Sequence, residues 1–374
     1  MSEEKLVPKL RFNGFDDEWI EEKLGNLVQI KSGECTKNLI TGIDNSIPYF
    51  KVEQLNNSLK YQIKTPYFIN DKSKIVNKGS IIFPKRGAAI LLNKIRILNQ
   101  DSFMDTNLMT LTPNNKLYNE FLYYFIYKEN LSKIADTTSI PQLNNKHIKP
   151  YPIKLPSFEE QLKISKFISS VDKKVALLSQ NLEIFNDFKK GLLQQIFTQK
   201  LRFNFDDEWK QYKLKDVLTV KSSSISINQL EENTGDYPLY GASGFLKNID
   251  FCEMDVDYIS IVKDGSGVGN LSFHEKNSSI VNTSQYLLPK KNFNINFLYY
   301  LLQTINLMKY VNGSSIPHIY FKDYCIEKIN IPSLDEQEKI GKLFVDVDIT
   351  MENLNKNINA TQEFKKGLLQ QMFV

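Results

Sequence analysis

The sequence predicts an α+β protein: two lobes of mixed α/β structure with β-rich cores, in a pseudo-two-fold arrangement, joined by two long antiparallel coiled-coil helices. Three observations predict it. The chain is internally duplicated, each copy ends in a sustained seven-residue apolar repeat, and the stretch before that repeat is cut into short β-type runs by Gly, Pro and Asn.

The duplication is direct. Leu10-Arg11-Phe12-Asn13, followed after Gly14 by Phe15-Asp16-Asp17-Glu18-Trp19, recurs as Leu201 to Trp209. Further on, SIPQLNNKHIKPYPIKLPSFEEQ (139–161) is echoed by SIPHIYFKDYCIEKINIPSLDEQ (315–337), and FKKGLLQQIF (188–197) by FKKGLLQQMF (364–373), at a constant offset of 176. Residues 25–115 and 215–290 share little, so each half has alike ends and an unlike middle. The expected segments are a first lobe over 1–156, a long helix over 157–198, a second lobe over 199–332 and a second long helix over 333–374.

Each long helix opens on Ser157-x-x-Glu160 or Ser333-x-x-Glu336, one residue after Pro156 or Pro332, which reads as a capping box. From there Ile164, Ile168, Val171, Val175, Leu178, Leu182, Phe185, Lys189, Leu192 and Ile196 alternate by fours and threes. The second copy gives Ile340, Phe344, Val347, Met351, Leu354, Ile358, Thr361, Lys365, Leu368 and Met372. A strict heptad over more than four repeats specifies a coiled-coil seam, and each helix should be on the order of 60 Å long. Two matched seams pack most simply on each other, with the lobes at opposite ends. The seam lysines Lys189 and Lys365 either set register or reach solvent near a helix end; the second is the expectation.

Within the lobes, IPYFKV (47–52), KGSIIFP (78–84) and IRILNQ (95–100) read as strands, and 117–135 as a helix. In the second lobe YPLYGA (237–242), DYISIVKDGSGVGN (257–270) and SQYLLP (284–289) are strand and turn material, and 295–311 is helical.

Composition narrows the class. The 374 residues are 41% hydrophobic and 24% charged, long enough for two cores, and no run approaches the roughly 18 apolar residues of a membrane span. The N-terminus lacks a signal-peptide pattern, and Cys35, Cys252 and Cys325 are odd in number and scattered, so neither a membrane nor a disulfide framework is expected and the cytoplasm is the expected compartment. His147, His274 and His318 are isolated, so no metal site is expected either. The net charge of +4 is unremarkable, but residues 58–100 carry a net +8 while 231–264 carry −6, a stretch expected to face away from nucleic acid or towards a protein.

Catalytic motifs are missing. DGSGVGN (264–270) carries Gly265, Gly267 and Gly269, but a β-like segment follows where a phosphate-binding loop needs a helix, so a hairpin loop is expected. There is no GxxxxGK[ST] and no Asn-Pro-Pro-aromatic stretch. Asp16, Asp17 and Glu18, repeated as Asp206, Asp207 and Glu208, read as turns or caps around Trp19 and Trp209, and no catalytic residue is assigned. What remains is binding chemistry. Lys85 and Arg86 at a turn suit phosphate and guanine, and Tyr49, Lys51, Gln54 and Asn107 are residue types that read bases. In the second lobe the candidates are Tyr240, Lys263, Ser266, Asn270, Gln285, Lys290 and Lys291.

LRFxxFDDEW at the head of a unit, the IPxLxxQxKI-like entry to a long helix, GLLQQ(I/M)F at its end, and the doubling of the whole around unlike middles resemble the specificity subunit of a Type I restriction-modification system, over residues 8–373. The resemblance implies that each middle is a target recognition domain reading one half of a bipartite, asymmetric site in double-stranded DNA, with the helices setting the spacer. It implies two modification subunits, holding S-adenosylmethionine and methylating adenine, and two restriction subunits using ATP and Mg, with no cofactor in this chain. The alternatives are a two-lobed coiled-coil scaffold, a self-contained methyltransferase-nuclease, or a DNA-binding protein without restriction partners.

Overall fold

The computed structural model describes residues 6–36, 39–41, 46–71, 73, 75–136, 140–230, 235–313 and 315–374. Lys72 and Lys74 of the basic segment, Glu231 and Glu232 of the acidic stretch, and Ser139 of the repeated Ser-Ile-Pro lie outside the described residues. Among the described residues no helix is long and apolar enough to cross a membrane.

The chain divides into two compact units, and the division cuts both long helices. One unit runs to Leu177 and takes in Ile358–Val374; the other is Leu178–Asn357. The four expected segments therefore differ from the compact units, because the end of each long helix is buried in the core that the other repeat begins.

In the first unit Ile20–Lys23 pairs antiparallel with Pro152–Leu155. A five-stranded sheet follows in the order Val28–Ser32, Leu108–Pro113, Ile81–Pro84, Arg96–Leu98, Tyr61–Gln62. A second sheet has Ile47–Phe50 between Phe68–Ile69 and Phe103–Met104, the last pairing parallel. All four residues of Ile81–Pro84 are buried because the strand is covered on both faces. Ile81 and Phe83 face the core that holds the helix Asn119–Glu129, while Ile82 faces Phe50, Leu98 and Met104.

The second unit repeats this topology except for the edge strand Tyr61–Gln62, which has no counterpart among its described residues. Lys210–Lys213 pairs with Lys328–Ile331. The larger sheet runs Leu218–Ser222, Ser284–Pro289, Tyr258–Val262, Leu271–His274, and the smaller has Tyr237–Gly241 between Gly244–Ile249 and the parallel Ser279–Ile280. The unlike middles are thus one fold written in two sequences. The expected strands are present with shifted ends. The expected helices 117–135 and 295–311 are shorter, Asn119–Glu129 and Ile295–Gln303, each followed by a 3-10 turn. DGSGVGN is the expected hairpin loop, between the antiparallel strands Tyr258–Val262 and Leu271–His274.

The long helices are Phe158–Phe197 and Leu334–Met372. Every seam position named above is buried or half-buried, while most positions between them are exposed. In the first unit Leu368, Leu369, Met372 and Phe373 join Ile164, Ile168 and Val171 in the core around Trp19 and Phe121. In the second, Leu192 and Ile196 join Ile340, Phe344 and Phe297. There Lys189 meets Asp348 at 2.6 Å and Phe197 stacks on Phe344 at 6.1 Å, so these two segments run in opposite directions.

The seam lysines do not reach solvent. Lys365 Nζ lies 2.6 Å from Asp172 Oδ1, whose Oδ2 accepts the Tyr124 hydroxyl at 2.6 Å. Lys189 Nζ lies 2.6 Å from Asp348 Oδ1, whose Oδ2 accepts the Tyr300 hydroxyl at 2.7 Å. These two triads coincide at the offset of 176. Burial, together with Asp172 or Asp348 beside the hydroxyl, pushes both tyrosines well above the ordinary phenol range.

The capping-box reading is half right. Ser157 Oγ accepts the Glu160 N–H at 3.2 Å, but the Glu160 carboxylate takes a two-pronged contact from Arg11, Nε and Nη2 each at 2.8 Å. Arg202 grips Glu336 in the same way at 2.9 and 2.8 Å. Each arginine also donates to the carbonyl of Asp17 or Asp207, so the acidic trios act through backbone, with their carboxylates exposed. Next along, Gln161 and Gln337 bolt each helix start to the loop before the lobe's helix, accepting from Tyr118 N–H at 2.8 Å and Asn294 N–H at 2.9 Å.

His274 is a buried histidine in the larger sheet of the second unit. It is 8% exposed, packed between the rings of Tyr240 and Tyr258, with Nε2 2.9 Å from Ser260 Oγ. Burial lowers its pKa to about 4 from 6.5. As pH falls from 6.5 towards 4 the unfolded imidazole binds a proton that the folded one excludes, so folding loses up to about 3 kcal/mol across that window. Urea unfolding at pH 7 and pH 4.5 should show a larger loss for the parent than for His274→Gln. Equal losses would contradict this placement.

Candidate nucleic-acid interface

A strand that leaves its sheet into a tight turn carries the local geometry of both candidate sites. In the first unit Ile81–Pro84 leads into Lys85-Arg86-Gly87. Lys85 N–H donates to Asn107 O at 2.8 Å and Lys85 O accepts Leu143 N–H at 2.9 Å. Gly87 N–H donates to Pro141 O at 3.0 Å, with φ +78, a left-handed conformation that favours glycine. In the second unit Tyr258–Val262 leads into Lys263-Asp264-Gly265. Lys263 N–H donates to Thr283 O, Lys263 O accepts Ile319 N–H and Gly265 N–H donates to Pro317 O, all at 2.9 Å, with Gly265 at φ +93. The two frames match bond for bond.

The sequence-derived candidates divide accordingly. Lys85, Arg86 and Asn107 come together at the first turn, with Arg86 and Asn107 exposed. Burial, and then the neighbouring Arg86 charge, lowers the Lys85 pKa. Asp105, beside them, accepts Asn107 N–H at 2.8 Å, and burial raises its pKa. Lys263, Ser266 and Asn270 come together at the second turn, where Lys263 pairs with Asp264. Gln285 sits two residues past Thr283; its Nε2 donates to Ser222 Oγ at 3.1 Å and its buried Oε1 has no partner among the described residues.

Others belong elsewhere. Tyr49 is only 3% exposed, its hydroxyl donating to Glu34 O at 3.0 Å and its pKa pushed by burial to about 12, so it is a core residue. Gln54 is buried, accepting from Lys51 N–H at 2.9 Å and donating to Glu53. Lys51 lies over the Tyr67 ring at 3.8 Å. Tyr240 is half-buried against His274 and Phe245. Lys290 and Lys291 follow the strand Ser284–Pro289 at its far end, roughly 20 Å along from the turn at the rise of a β-strand, and Lys290 Nζ donates to Lys215 O at 2.7 Å.

The basic concentration is partly internal. Lys60 donates to Glu120, Tyr124 and Ser169, and Arg96 to the carbonyls of Ser58, Ile95 and Leu55. Burial lowers the pKa of both. In the acidic stretch, Glu253 accepts the Tyr286 hydroxyl at 2.7 Å and Asp257 accepts Lys276 N–H at 2.9 Å. Sequence reasoning missed that the two turns are equivalent. The signal was available: Lys-x-Gly after a β-type run, with Ser-Ile-Pro downstream at the constant offset.

Two lobes of one topology, each presenting a Lys-x-Gly turn and each carried on a long helix, define a duplicated recognition protein. The model of the Type I restriction modification DNA specificity domain matches residues 16–184 and again 206–362, and the chain belongs to that family. It is 22% identical to the Type I restriction enzyme MjaVIII specificity subunit of Methanocaldococcus jannaschii over 94% of this chain and 91% of that one. In fold it is similar to the crystal structure of a Type I restriction-modification S subunit from M. genitalium, with TM-score 0.66, 21% identity and coverage of 98% and 99%. It is also similar, with TM-score 0.56, 15% identity and coverage of 96% and 98%, to a chain from a structural study of complex assembly in the type I system.

A phosphate contact by the exposed Arg86 should release about one counterion. Arg86→Ala should therefore make the slope of log K against log salt shallower by about 0.9 in a duplex-DNA titration. An unchanged slope would remove Arg86 from the interface.

Proposed function

We propose that the chain is the DNA sequence-specificity subunit of a Type I restriction-modification complex. Each lobe reads one half of a bipartite, asymmetric site in double-stranded DNA. The paired helices set the unread gap and offer docking surfaces to two modification subunits, which also bring two restriction subunits. The observation that carries this reading is the duplicated lobe: one topology, one Lys-x-Gly frame and one Tyr-Asp-Lys triad, around side chains that differ between copies. A fold kept constant while its exposed residues vary suits two readers of two different words, and readers held apart reach only separated stretches of groove.

The chain is non-catalytic in this reading. S-adenosylmethionine, ATP and Mg belong to the partner subunits, and the complex works in the cytoplasm. The likeness to a chain from a study of complex assembly supports the partner assignment.

Exchanging residues 20–155 for the lobe of another family member, then mapping genomic methylation in cells that also express the modification subunits, tests modular readout. One half of the methylated site should change and the other should stay. A change in both halves would contradict it.

A further inference from the structure

Ile140-Pro141 recurs as Ile316-Pro317. In both lobes the Ile-Pro pair lies inside a segment whose ends are joined by a backbone bridge. Asp136 and Gln142 exchange backbone hydrogen bonds at 2.9 and 3.3 Å, and Asn312 and His318 do so at 2.8 Å each. Each proline is stitched to the Lys-x-Gly turn, through Gly87 N–H to Pro141 O and Gly265 N–H to Pro317 O. At that point each lobe displays a large aliphatic side chain, Ile140 at 57% and Ile316 at 68% exposed.

We propose that Ile140 and Ile316 are apolar wedges that press into the base stack of bound double-stranded DNA, one in each half of the site. This rests on the DNA-reading function proposed above. Two lobes that read different words cannot use a shared residue to tell the words apart, so what they share serves a task independent of sequence. An isoleucine has no hydrogen bond to offer a base edge or a phosphate. Its contribution is apolar insertion at a base step, which unstacks and bends the duplex.

Three local features suit that task. Proline fixes its own φ and holds the residue before it in extended conformation, so each isoleucine sits on a stiff support. The adjoining turn carries Lys85 and Arg86 in one lobe and Lys263, paired with Asp264, in the other. At both Gly87 and Gly265 a Cβ would meet nothing within 4 Å, so no described group covers either glycine.

The test uses the full chain and duplexes carrying its methylation-mapped site, with 2-aminopurine in one half or the other. The parent chain should raise 2-aminopurine fluorescence in both halves. Ile140→Ser should cut the rise about fivefold in the half read by the first lobe only, and Ile316→Ser in the other, while Ile140→Leu and Ile316→Leu keep it. Binding without a rise by the parent, or serine variants as bright as the parent, would overturn the wedge and leave the DNA-reading function standing. Serine variants that unstack DNA normally but no longer assemble with the modification subunits would also overturn it, by assigning the Ile-Pro pair to a protein contact. Absence of any salt-dependent DNA binding by the parent would overturn both.

Discussion

Each compact unit contains a carboxylate that forms an ion pair with the far end of the other repeat's helix. Asp172 meets Lys365, and Asp348 meets Lys189, at 2.6 Å in both cases. Burying such charges costs several kcal/mol per ion, and the attraction between them returns that only when the geometry is right. The pairs therefore contribute little net stability and a great deal of selectivity. A helix slipped by one heptad would take Lys365 away from Asp172 and Lys189 away from Asp348. The apolar seam alone, with aliphatic side chains of similar size at successive positions, would tolerate such a slip far better.

The same logic runs through the rest of the scaffold. Arg11 and Arg202 reach across from the head of each repeat to Glu160 and Glu336 at the start of its long helix, both carboxylates almost wholly buried. Gln161 and Gln337 fix the neighbouring turn. The repeated sequence is thus largely the set of polar bolts that ties each lobe to the helices. That explains why the ends of the repeats are alike and the middles are free to differ.

Much of this was legible from residues alone. The heptad named positions that are all buried or half-buried, though it passed over Leu369, since periodicity registers which face is covered without regard to what covers it. The strands and helices followed from β-branched runs and turn residues. What escaped were features set by partners far along the chain. Lys189 looked solvent-bound because Asp348 lies 159 residues on, and Glu160 looked like half of a capping box because Arg11 lies 149 residues back. Tyr49 looked like a base reader, but all of Ile47–Phe50 is buried, and a run of four apolar residues does not declare whether one face or both are covered. The shared topology of the middles was hidden because their pairing is carried by backbone bonds, such as those at Lys85 and Lys263, that almost any side chain permits.

The central claim is that the paired helices act as a ruler between two independent readers. Inserting one heptad into each, at matching points between Leu178 and Leu182 and between Met351 and Leu354, lengthens the pair by on the order of 10 Å, about three base pairs of DNA. Mapping the methylated site of that variant is the most direct measurement. The account predicts two unchanged half-words separated by a gap about three base pairs wider. An unchanged gap, or altered half-words, would contradict it.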